Sequence, residues 1–320
     1  MTDSRFILTG LLLLQLGLAL GLYWHRLEPD AGDLTPVPLL DAGARVAELR
    51  ISDMQQEAVL VYKDGQWRLP ALADLPADGA RVEAALARLK RTATGWPVTT
   101  TTASHQRFEV APGNYQRRLV LSADGRPVEL FLGTSPGFRK VHLRRADDEA
   151  VYAVGLSAFE LPADDNDWLD KALLASESVD RIDGPDFTLV KRADDWVLGV
   201  GPADAGAEVD SERAAQLAAA LSELRVQGVA AAPPEEGAFV TLTVGQGNGR
   251  RELEFAADGD SRLVRDKAID AWFTISQDVY DDIAGVDRQL LQVSGENSTA
   301  GADATAEEEA GLTGRDDESN

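Results

Sequence analysis

The same order of apolar segments, turns and helical patterns occurs twice along this chain, and this repeat limits the folds that it can adopt. The copies cover residues 45–175 and 176–292. In the first copy, short apolar segments at 49–51 and 59–62 lead to the hairpin dipeptide Asp64-Gly65, and Trp67 follows on the return strand. The second copy has an equivalent acidic turn before Trp196. Recurrence of many elements in one order indicates a duplicated module rather than one large domain.

Each copy continues with a helix and then with hairpins. An aspartate precedes each helical pattern, Asp78 in the first copy and Asp210 in the second, where its carboxylate can cap the first turn. Apolar residues at helical spacing follow each aspartate. Alternating apolar segments then indicate half-buried strand pairs, joined in the first copy by Asp124-Gly125. The pattern predicts the α+β fold class, as two tandem copies of a mostly antiparallel, β-rich module with one packed helix each.

The N-terminal segment predicts a membrane anchor. Residues 6–24 form a run of 19 residues without a charge, nine of them leucine. As a helix this run would be about 28 Å long, close to the hydrocarbon thickness of a bilayer. We therefore expect a transmembrane helix at 6–24, a short cytoplasmic end at 1–5 and the bulk of the chain in the periplasm, as a single-pass protein of the bacterial inner membrane. A cleaved signal peptide, with Ala19-Leu20-Gly21 as its cleavage site, is the alternative.

Two further segments lie outside the repeat. Residues 25–44 contain three prolines and are expected to form an extended tether between the anchor and the first module. Residues 293–320 carry eight acidic residues and one basic residue, with almost no large apolar side chains. Such a composition does not support a packed core, so the sequence predicts a disordered acidic tail.

Charge and cysteine content exclude several functions. The chain of 320 residues has 54 acidic and 31 basic residues, a formal net charge of −23. This charge repels nucleic acids and anionic lipid head groups, so neither is expected as a ligand. Cysteine is absent. Its absence excludes disulfides, thiolate metal sites and cysteine nucleophiles.

Two polar clusters resemble binding sites but fit simpler structural roles. The glycine-rich segment 245–249 has predicted strands on both sides, whereas a phosphate-binding loop leads into a helix, so a hairpin turn is expected. Asp164-Asp165-Asn166-Asp167, with Asp170 beyond, lacks the spacing, the glycine and the terminal glutamate of a calcium-binding EF-hand. Capping of a helix before Trp168 explains these acids, and cation binding is the alternative.

The remaining chemistry-bearing residues indicate no active site. His25, His105 and His142 are dispersed, and no pair has metal-ligand spacing. The segment 155–159, Gly-Leu-Ser-Ala-Phe, lacks the final glycine of a nucleophile elbow. We therefore predict no catalytic, cofactor-binding or metal-binding residues, no cofactor and no enzymatic activity. Core packing is expected for four tryptophans, and a carbohydrate-stacking platform is the alternative: Trp67, Trp168, Trp196 and Trp272.

Several of these segments together resemble a known family. They are the strand that ends at Trp67, the helix with Asp78 and Arg81, Leu130-Phe131-Leu132-Gly133, Val151-Tyr152-Ala153-Val154 and Trp168-Leu169-Asp170-Lys171. Over Val46–Leu291 the chain resembles the domain of unknown function 4340 family. The resemblance implies an envelope protein encoded beside ABC-type transport systems of the gliding-motility type. It carries no catalytic residues.

Two functions remain as hypotheses. The first is a non-enzymatic accessory or scaffold protein that has protein partners in an envelope transport complex. The alternative is an independent envelope module that binds cell-wall glycan or a small ligand. Exposed tryptophans and the aspartate-rich loops are the features that would favour the alternative.

Overall fold

The computed structural model describes residues 14–18, 36–193, 195–199, 209–235, 239–247 and 249–293. The chain divides into two compact units. The first unit comprises Met1–Ala71 and Gly79–Asp165, and the second comprises Leu72–Asp78 and Asn166–Asn320. Both have antiparallel sheets with a few short helices, so the α+β class predicted from the sequence is confirmed.

Within the described residues 36–165, the first unit contains one large sheet, one separate pair of short strands and two α-helices. Its strands are β1 (Val46–Ser52), β2 (Glu57–Lys63), β3 (Gln66–Leu69), β5 (Pro97–Thr99), β6 (Val110–Ala111), β7 (Asn114–Tyr115), β8 (Arg117–Ala123), β9 (Arg126–Leu132), β10 (Val141–Arg145) and β11 (Val151–Val154), with the short β4 (Leu75–Pro76) in the segment assigned to the second unit. Its helices are α1 (Gly79–Arg91) and α2 (Ser104–Phe108). Within the unit the sheet order is β3-β2-β1-β8-β9-β10-β11-β5, and β6 pairs with β7 separately.

The hairpin turns of this sheet follow directly from two dipeptides. Asp64-Gly65 has φ angles of 52° and 84°, and Asp124-Gly125 has 49° and 76°. Two consecutive positive φ angles match the twist of the flanking strands, and glycine adopts the second without steric penalty. The turns thereby fix the registers of the two hairpins, with Lys63 opposite Gln66 in the first.

The core of the first unit follows the two periodicities of the sequence. Alternate residues of β1 and β8 face inward and are at most 1 % exposed: Leu49, Ile51, Leu119 and Leu121. On α1 the residues at helical spacing, Val82, Leu86 and Leu89, are also buried. The leucines and valines that the sequence groups by period thus meet in one apolar layer.

In the part that the structure describes, the second unit contains one sheet and two α-helices. Its strands are β12 (Arg181–Asp183), β13 (Thr188–Arg192), β14 (Asp195–Leu198), β15 (Gly228–Val229), β16 (Phe239–Gln246), β17 (Gly249–Asp258), β18 (Ser261–Asp266) and β19 (Phe273–Ile275), and its helices are α3 (Ser211–Ser222) and α4 (Gln277–Ala284). The sheet order is β14-β13-β12-β16-β17-β18-β19-β15. Asp210 caps α3, since its carboxylate accepts the N–H groups of Glu212 and Arg213, each at 3.1 Å.

The two sheets have the same strand order. The two sheet orders correspond strand by strand. The first sheet has the order β3-β2-β1-β8-β9-β10-β11-β5, and the second has β14-β13-β12-β16-β17-β18-β19-β15. Trp67 and Trp196 lie on the corresponding strands β3 and β14, and they are 3 % and 6 % exposed. The order of elements that recurs in the sequence is therefore also the order of strands in each sheet.

The sequence pattern predicts that each copy ends with a short helical stretch, at 168–174 and at 286–291, but both stretches are turns instead. Residues 171–174 and 288–291 each form a single turn, closed by i+3 hydrogen bonds such as Leu291 N–H to Arg288 O at 3.2 Å. A single turn forms too few hydrogen bonds to offset the unfavourable free energy of helix nucleation. The conformation of each stretch therefore depends on the burial of Leu174 and Leu291. The helix α4, which Ser276 caps through Val279 N–H, is absent from the sequence-based prediction.

The predicted anchor and tail fall mainly outside the described residues. Of the segment 6–24, the structure describes residues 14–18, which are helical. Within the described residues, no helix has the length and apolar character needed to cross a membrane. The tail beyond residue 293 and the tether residues 25–35 also lie outside the described part.

The last part of the predicted tether packs on the first unit. Leu39 and Leu40 are 1 % and 4 % exposed. Leu39 N–H donates to Thr92 O at 2.9 Å, and Thr94 N–H donates to Val37 O at 2.8 Å. Leu39 and Leu40 therefore belong to the apolar core, and the hydrogen bonds of residues 37–40 to the first unit show that this stretch is not an extended linker.

Truncation of either matched tryptophan should destabilise its unit strongly. We expect Trp67→Ala and Trp196→Ala each to lower the free energy of unfolding by roughly 3–5 kcal/mol, because each leaves a large cavity. Trp96→Ala is the matched control: Trp96 is 69 % exposed, so its truncation should change stability by about 0.5 kcal/mol or less. Denaturant unfolding followed by circular dichroism measures the three. Equal effects at Trp67 and Trp96 would contradict the assignment of Trp67 to the core.

Candidate functional site

The glycine-rich segment 245–249 is a hairpin turn, as predicted. It joins β16 to β17, and Gln246 pairs with Gly249 across the turn. Gly247 has a φ of 57°, and its N–H donates to Asp180 Oδ2 at 2.7 Å. Residue 248 lies outside the described residues. Strands on both sides leave no helix N-terminus at which a phosphate could bind.

The aspartate-rich segment bonds to the backbone. Asp165 Oδ1 accepts Val59 N–H at 3.0 Å, Asn166 Oδ1 accepts Val229 N–H at 2.8 Å, and Asp170 Oδ1 accepts Ala172 N–H at 2.9 Å. Burial raises the pKa of Asp165. These side chains support strands and a turn, so the predicted capping of a helix before Trp168 is wrong. The described residues contain no group of three or more His, Cys, Asp or Glu side chains arranged to hold a metal ion.

The two described histidines have structural partners. His105 Nε2 lies 2.8 Å from Glu149 O, and His142 Nδ1 lies 2.9 Å from Thr134 Oγ1. The His142 ring packs on Phe108 with centroids 4.3 Å apart. Burial lowers the pKa of His142, which favours the neutral form of the ring. His25 lies outside the described residues.

A groove on the first unit has the features of a docking site. Its volume is about 450 Å³, and two segments form its walls: the loop 133–140 between β9 and β10, and residues 156–159 after β11. Two phenylalanines stand at this groove with almost all of their surface in solvent, Phe138 at 86 % exposure and Phe159 at 91 %. Burial is the usual place for phenylalanine, so exposure of two beside one groove is informative.

A glycine allows the first wall to approach the rest of the unit. A Cβ atom on Gly133 would lie 1.9 Å from Phe108 O and 2.4 Å from Glu109 O, so no other residue fits there without a backbone shift. Gly133 N–H donates to His142 O at 2.9 Å, and Thr134 N–H donates to Phe108 O at 2.9 Å. These bonds fix the base of the loop to its neighbours.

A tight turn holds the loop tip that carries Phe138. Lys140 N–H donates to Gly137 O at 3.2 Å, which closes the turn, and Arg139 adopts a φ of 53° within it. Ser135 Oγ lies 2.8 Å from both Gly137 O and Lys140 O, so the hydroxyl links the two ends of the turn. The side chain of Phe138 therefore stands on a braced turn rather than on a long free loop.

The second wall presents Phe159 in a similar way. Leu156 is 2 % exposed and anchors the segment in the core. A 3-10 turn over Ala158–Glu160 follows, and Glu160 pairs with Arg88 of α1 at 3.1 Å. Arg88 Nη2 also donates to Gly155 O at 3.1 Å. Residues on both sides of Phe159 are thus held, while its own ring points into solvent.

The rim of the groove is cationic. Arg139 stacks on the Phe138 ring, with its guanidinium carbon 5.0 Å from the ring centroid, and Lys140 follows it. None of the described residues that line the groove is Asp or Glu. This local excess of positive charge contrasts with the net charge of −23 of the chain. The groove can therefore accept an apolar side chain beside carboxylates.

The groove was not predicted from the sequence, because no local pattern links the segments that form its two walls. The second wall contains the segment 155–159, which the sequence analysis considered only as a nucleophile elbow. Ser157 lines the groove as part of its second wall. The first wall contains the turn dipeptide Pro136-Gly137, followed directly by Phe138 and two basic residues. This pattern predicts a turn that exposes an apolar side chain at its tip.

A comparison with known families assigns the chain. A family model described as Domain of unknown function (DUF4340) matches residues 67–243, more than half of the chain. The chain belongs to the DUF4340 family. The resemblance found in the sequence is thereby confirmed, and the DUF4340 match includes every residue that lines the groove. No curated protein and no solved structure matches the chain.

The base of the groove loop provides a matched pair of glycine substitutions. Gly133→Ala should destabilise the first unit by about 1–3 kcal/mol or more, because its Cβ would overlap backbone oxygens. Gly137→Ala should have little effect, since a Cβ there meets nothing within 4 Å. Thermal unfolding of the two variants measures the difference. Equal stability of the two proteins would show that the loop base is not held as described.

Proposed function

We propose that this DUF4340 protein is a non-enzymatic accessory or scaffold protein, anchored in the bacterial inner membrane with its bulk in the periplasm. It works with an ABC-type envelope transport system by docking a protein partner in the groove of its first unit. The observation that carries this proposal is the pair of phenylalanines at 86 % and 91 % exposure beside that groove.

The free energy of burying these rings supports a binding role. Full burial of one phenylalanine side chain contributes about 1.5–3 kcal/mol. Phe138 and Phe159 together therefore offer several kcal/mol to a partner that covers them. The turns that carry them are braced by Ser135 and by the Arg88–Glu160 pair. Little conformational entropy is lost when a partner meets side chains on segments that are already ordered.

The charge and shape of the groove define the partner. Arg139 and Lys140 on the rim favour a segment with carboxylates, and the concave apolar lining favours one protruding apolar side chain. We therefore propose a protein segment with an apolar anchor residue next to Asp or Glu. A bilayer offers no protruding side chain, and the net charge of −23 disfavours approach to anionic lipid.

The proposed location depends on the N-terminal segment. The uncharged run at 6–24 has the length and leucine content of a membrane-spanning helix. The cytoplasmic end at 1–5 and the tether after residue 24 belong to the same proposal. Association with an ABC-type transporter is proposed from the family resemblance described for the sequence.

The contacts of the polar residues support a non-enzymatic role. His105 and His142 bond to a backbone carbonyl and a threonine hydroxyl, and neither lies beside a carboxylate in a catalytic arrangement. In the segment 164–170, the side chains of Asp165, Asn166 and Asp170 each accept a backbone N–H group. General acid–base catalysis requires such groups to face a substrate.

The glycan-binding alternative has weaker support. A stacking platform needs several exposed aromatic rings on one face. Four tryptophans are at most 9 % exposed: Trp67, Trp168, Trp196 and Trp272. Within the described residues, Trp96 is the one exposed tryptophan, and a single ring does not form a platform.

Copurification tests the docking groove. The full-length protein, purified from its own membranes in mild detergent, should retain transporter subunits. Phe138→Ala with Phe159→Ala should reduce the retained amount at least tenfold, because the apolar anchor contacts are lost. Trp96→Ala, which removes an exposed aromatic ring outside the groove, should retain them fully. Equal retention by all variants would refute the groove as the docking site. Binding of a shortened protein that begins at Pro36, and so lacks the proposed anchor, to lipid vesicles would indicate a membrane contact instead.

Membrane washing tests the anchor. The full-length protein should remain in the membrane fraction after an alkaline carbonate wash, because residues 6–24 are apolar enough to span the bilayer. A shortened protein that begins at Pro36 keeps the packed Leu39 and Leu40 and should be soluble. Recovery of a shortened protein that begins at Leu22 in the soluble periplasmic fraction would favour a cleaved signal peptide.

A further inference from the structure

A second cavity lies wholly within the second unit and has a different chemistry. Its volume is about 720 Å³, within the range of small-molecule sites. Three arginines line it, Arg181, Arg192 and Arg288, against one lining acid, Asp186. In the whole chain acidic residues outnumber basic ones by 54 to 31, so the cavity reverses the general balance of charge.

The alternation of strand residues places these arginines on the outer face of the sheet. Ile182, Leu189 and Trp196 point to the core and are at most 6 % exposed. Their neighbours therefore point to the opposite face, where Arg181 of β12 and Arg192 of β13 line the cavity. Because this periodicity is fixed by the core, the positions of the outer residues are fixed as well.

Two glycines allow the residues that line the cavity to pack closely against one another. At Gly199, a Cβ atom would lie 2.6 Å from Thr188 Cγ2, so a side chain there would press into the floor. At Gly184, a Cβ atom would lie 2.4 Å from the Phe187 ring. Both glycines line the cavity, and the space above them is left to solvent or to a ligand.

Arg181 is oriented before any ligand binds. Its Nε and Nη2 donate to the two carboxylate oxygens of Asp183 at 2.8 and 2.7 Å, and Thr188 Oγ1 donates to Asp183 Oδ1 at 2.9 Å. The bond from Arg181 lowers the pKa of Asp183, so the pair stays charged. Arg181 Nη1 makes no hydrogen bond to the described residues and is left to meet an acceptor. A guanidinium held on one edge is preorganised on the other.

The acids near the cavity are already engaged. Asp183 is held by Arg181 and Thr188. Asp186 Oδ2 accepts the backbone N–H of Arg288 at 3.2 Å, which also ties the segment after α4 to the β12–β13 turn. Arg192 lies exposed at the end of β13. Asp195 lies opposite Arg192 across the β13–β14 hairpin but does not line the cavity, so the lining itself carries three arginines and one acid.

The equivalent positions in the first sheet carry a different arrangement of charges, so the sheet itself does not require arginines there. Leu49 lies opposite Leu60 in the first sheet, as Ile182 lies opposite Leu189 in the second, so Glu48 corresponds to Arg181. In the first unit one arginine, Arg50, is shared by Glu48 at 2.5 Å and Glu57 at 3.5 Å. Two acids thus neutralise one arginine there, whereas one acid orients one arginine in the second unit.

We propose that this cavity binds a small anion that carries phosphate or carboxylate groups. Arg192 and Arg288 contact the anion directly, Arg181 donates from Nη1, and Asp183 is the positioning residue for Arg181. The net charge of the chain does not prevent binding, because screening at physiological ionic strength reduces charge effects beyond about 8 Å. The site lies on the second unit and is independent of the proposed docking groove.

Calorimetric titration of the full-length protein in mild detergent tests the proposal. The probes are inorganic phosphate and citrate, each titrated at low and at physiological ionic strength. Wild-type protein should bind at least one of them, and Arg192→Gln and Arg288→Gln should each weaken that binding about tenfold, the effect of losing roughly 1.4 kcal/mol. Arg225→Gln is the matched control, since Arg225 is exposed on the same unit and does not line the cavity.

The results of the titrations distinguish the two classes of ligand and can overturn the proposal. Tighter binding of phosphate identifies the phosphate class, and tighter binding of citrate identifies the carboxylate class. Asp183→Asn should weaken binding while leaving the thermal midpoint of unfolding nearly unchanged, because Arg181 loses its orientation but its surroundings remain partly exposed. Absence of binding to both probes would overturn the proposal. Binding that is equal in wild type, Arg192→Gln and Arg225→Gln would overturn it as well.

Discussion

The pairing of the first strand of each unit with a hairpin far along the chain is the constraint on which the rest of the structure depends. In the first unit β1 pairs with β8, so that Leu49 faces Leu121, and in the second unit β12 pairs with β16, so that Ile182 faces Val244. Each pairing joins a local three-strand meander to a second meander. A shift of one residue in this register would turn the core leucines to solvent, so the register is strongly specified.

Both candidate sites are consequences of this register. Once the inner faces are fixed by apolar residues, the outer faces and the loops are free to carry other chemistry. In the first sheet the connection between β9 and β10 is the braced loop 133–140, which forms one wall of the groove. In the second sheet the corresponding connection between β17 and β18 is the short turn 259–260. The arginine-lined cavity, in contrast, belongs to the outer face of the second sheet. The same sheet order thus supports two different surfaces.

Much of the fold could be predicted from the sequence because the relevant signals are local. Asp64-Gly65 and Asp124-Gly125 predict hairpins through their turn chemistry, Asp210 predicts the start of α3, and the repeat predicts that one strand order occurs twice. The stretch after Trp168 was predicted wrongly as a helix. One turn of periodic apolar residues does not distinguish a helix from a buried turn, because both place leucines inward.

The sequence by itself determined the α+β class, the hairpin turns, the order of elements in the two halves and the membership of the family. Only the tertiary structure decided that Phe138 and Phe159 stand at one groove, and that Arg181, Arg192 and Arg288 line one cavity. The physical reason is the range of the interactions. Turns and amphipathic faces are encoded by residues within a few positions of one another, whereas a site is assembled by long-range strand pairing, which brings together segments that carry no local sign of their partner.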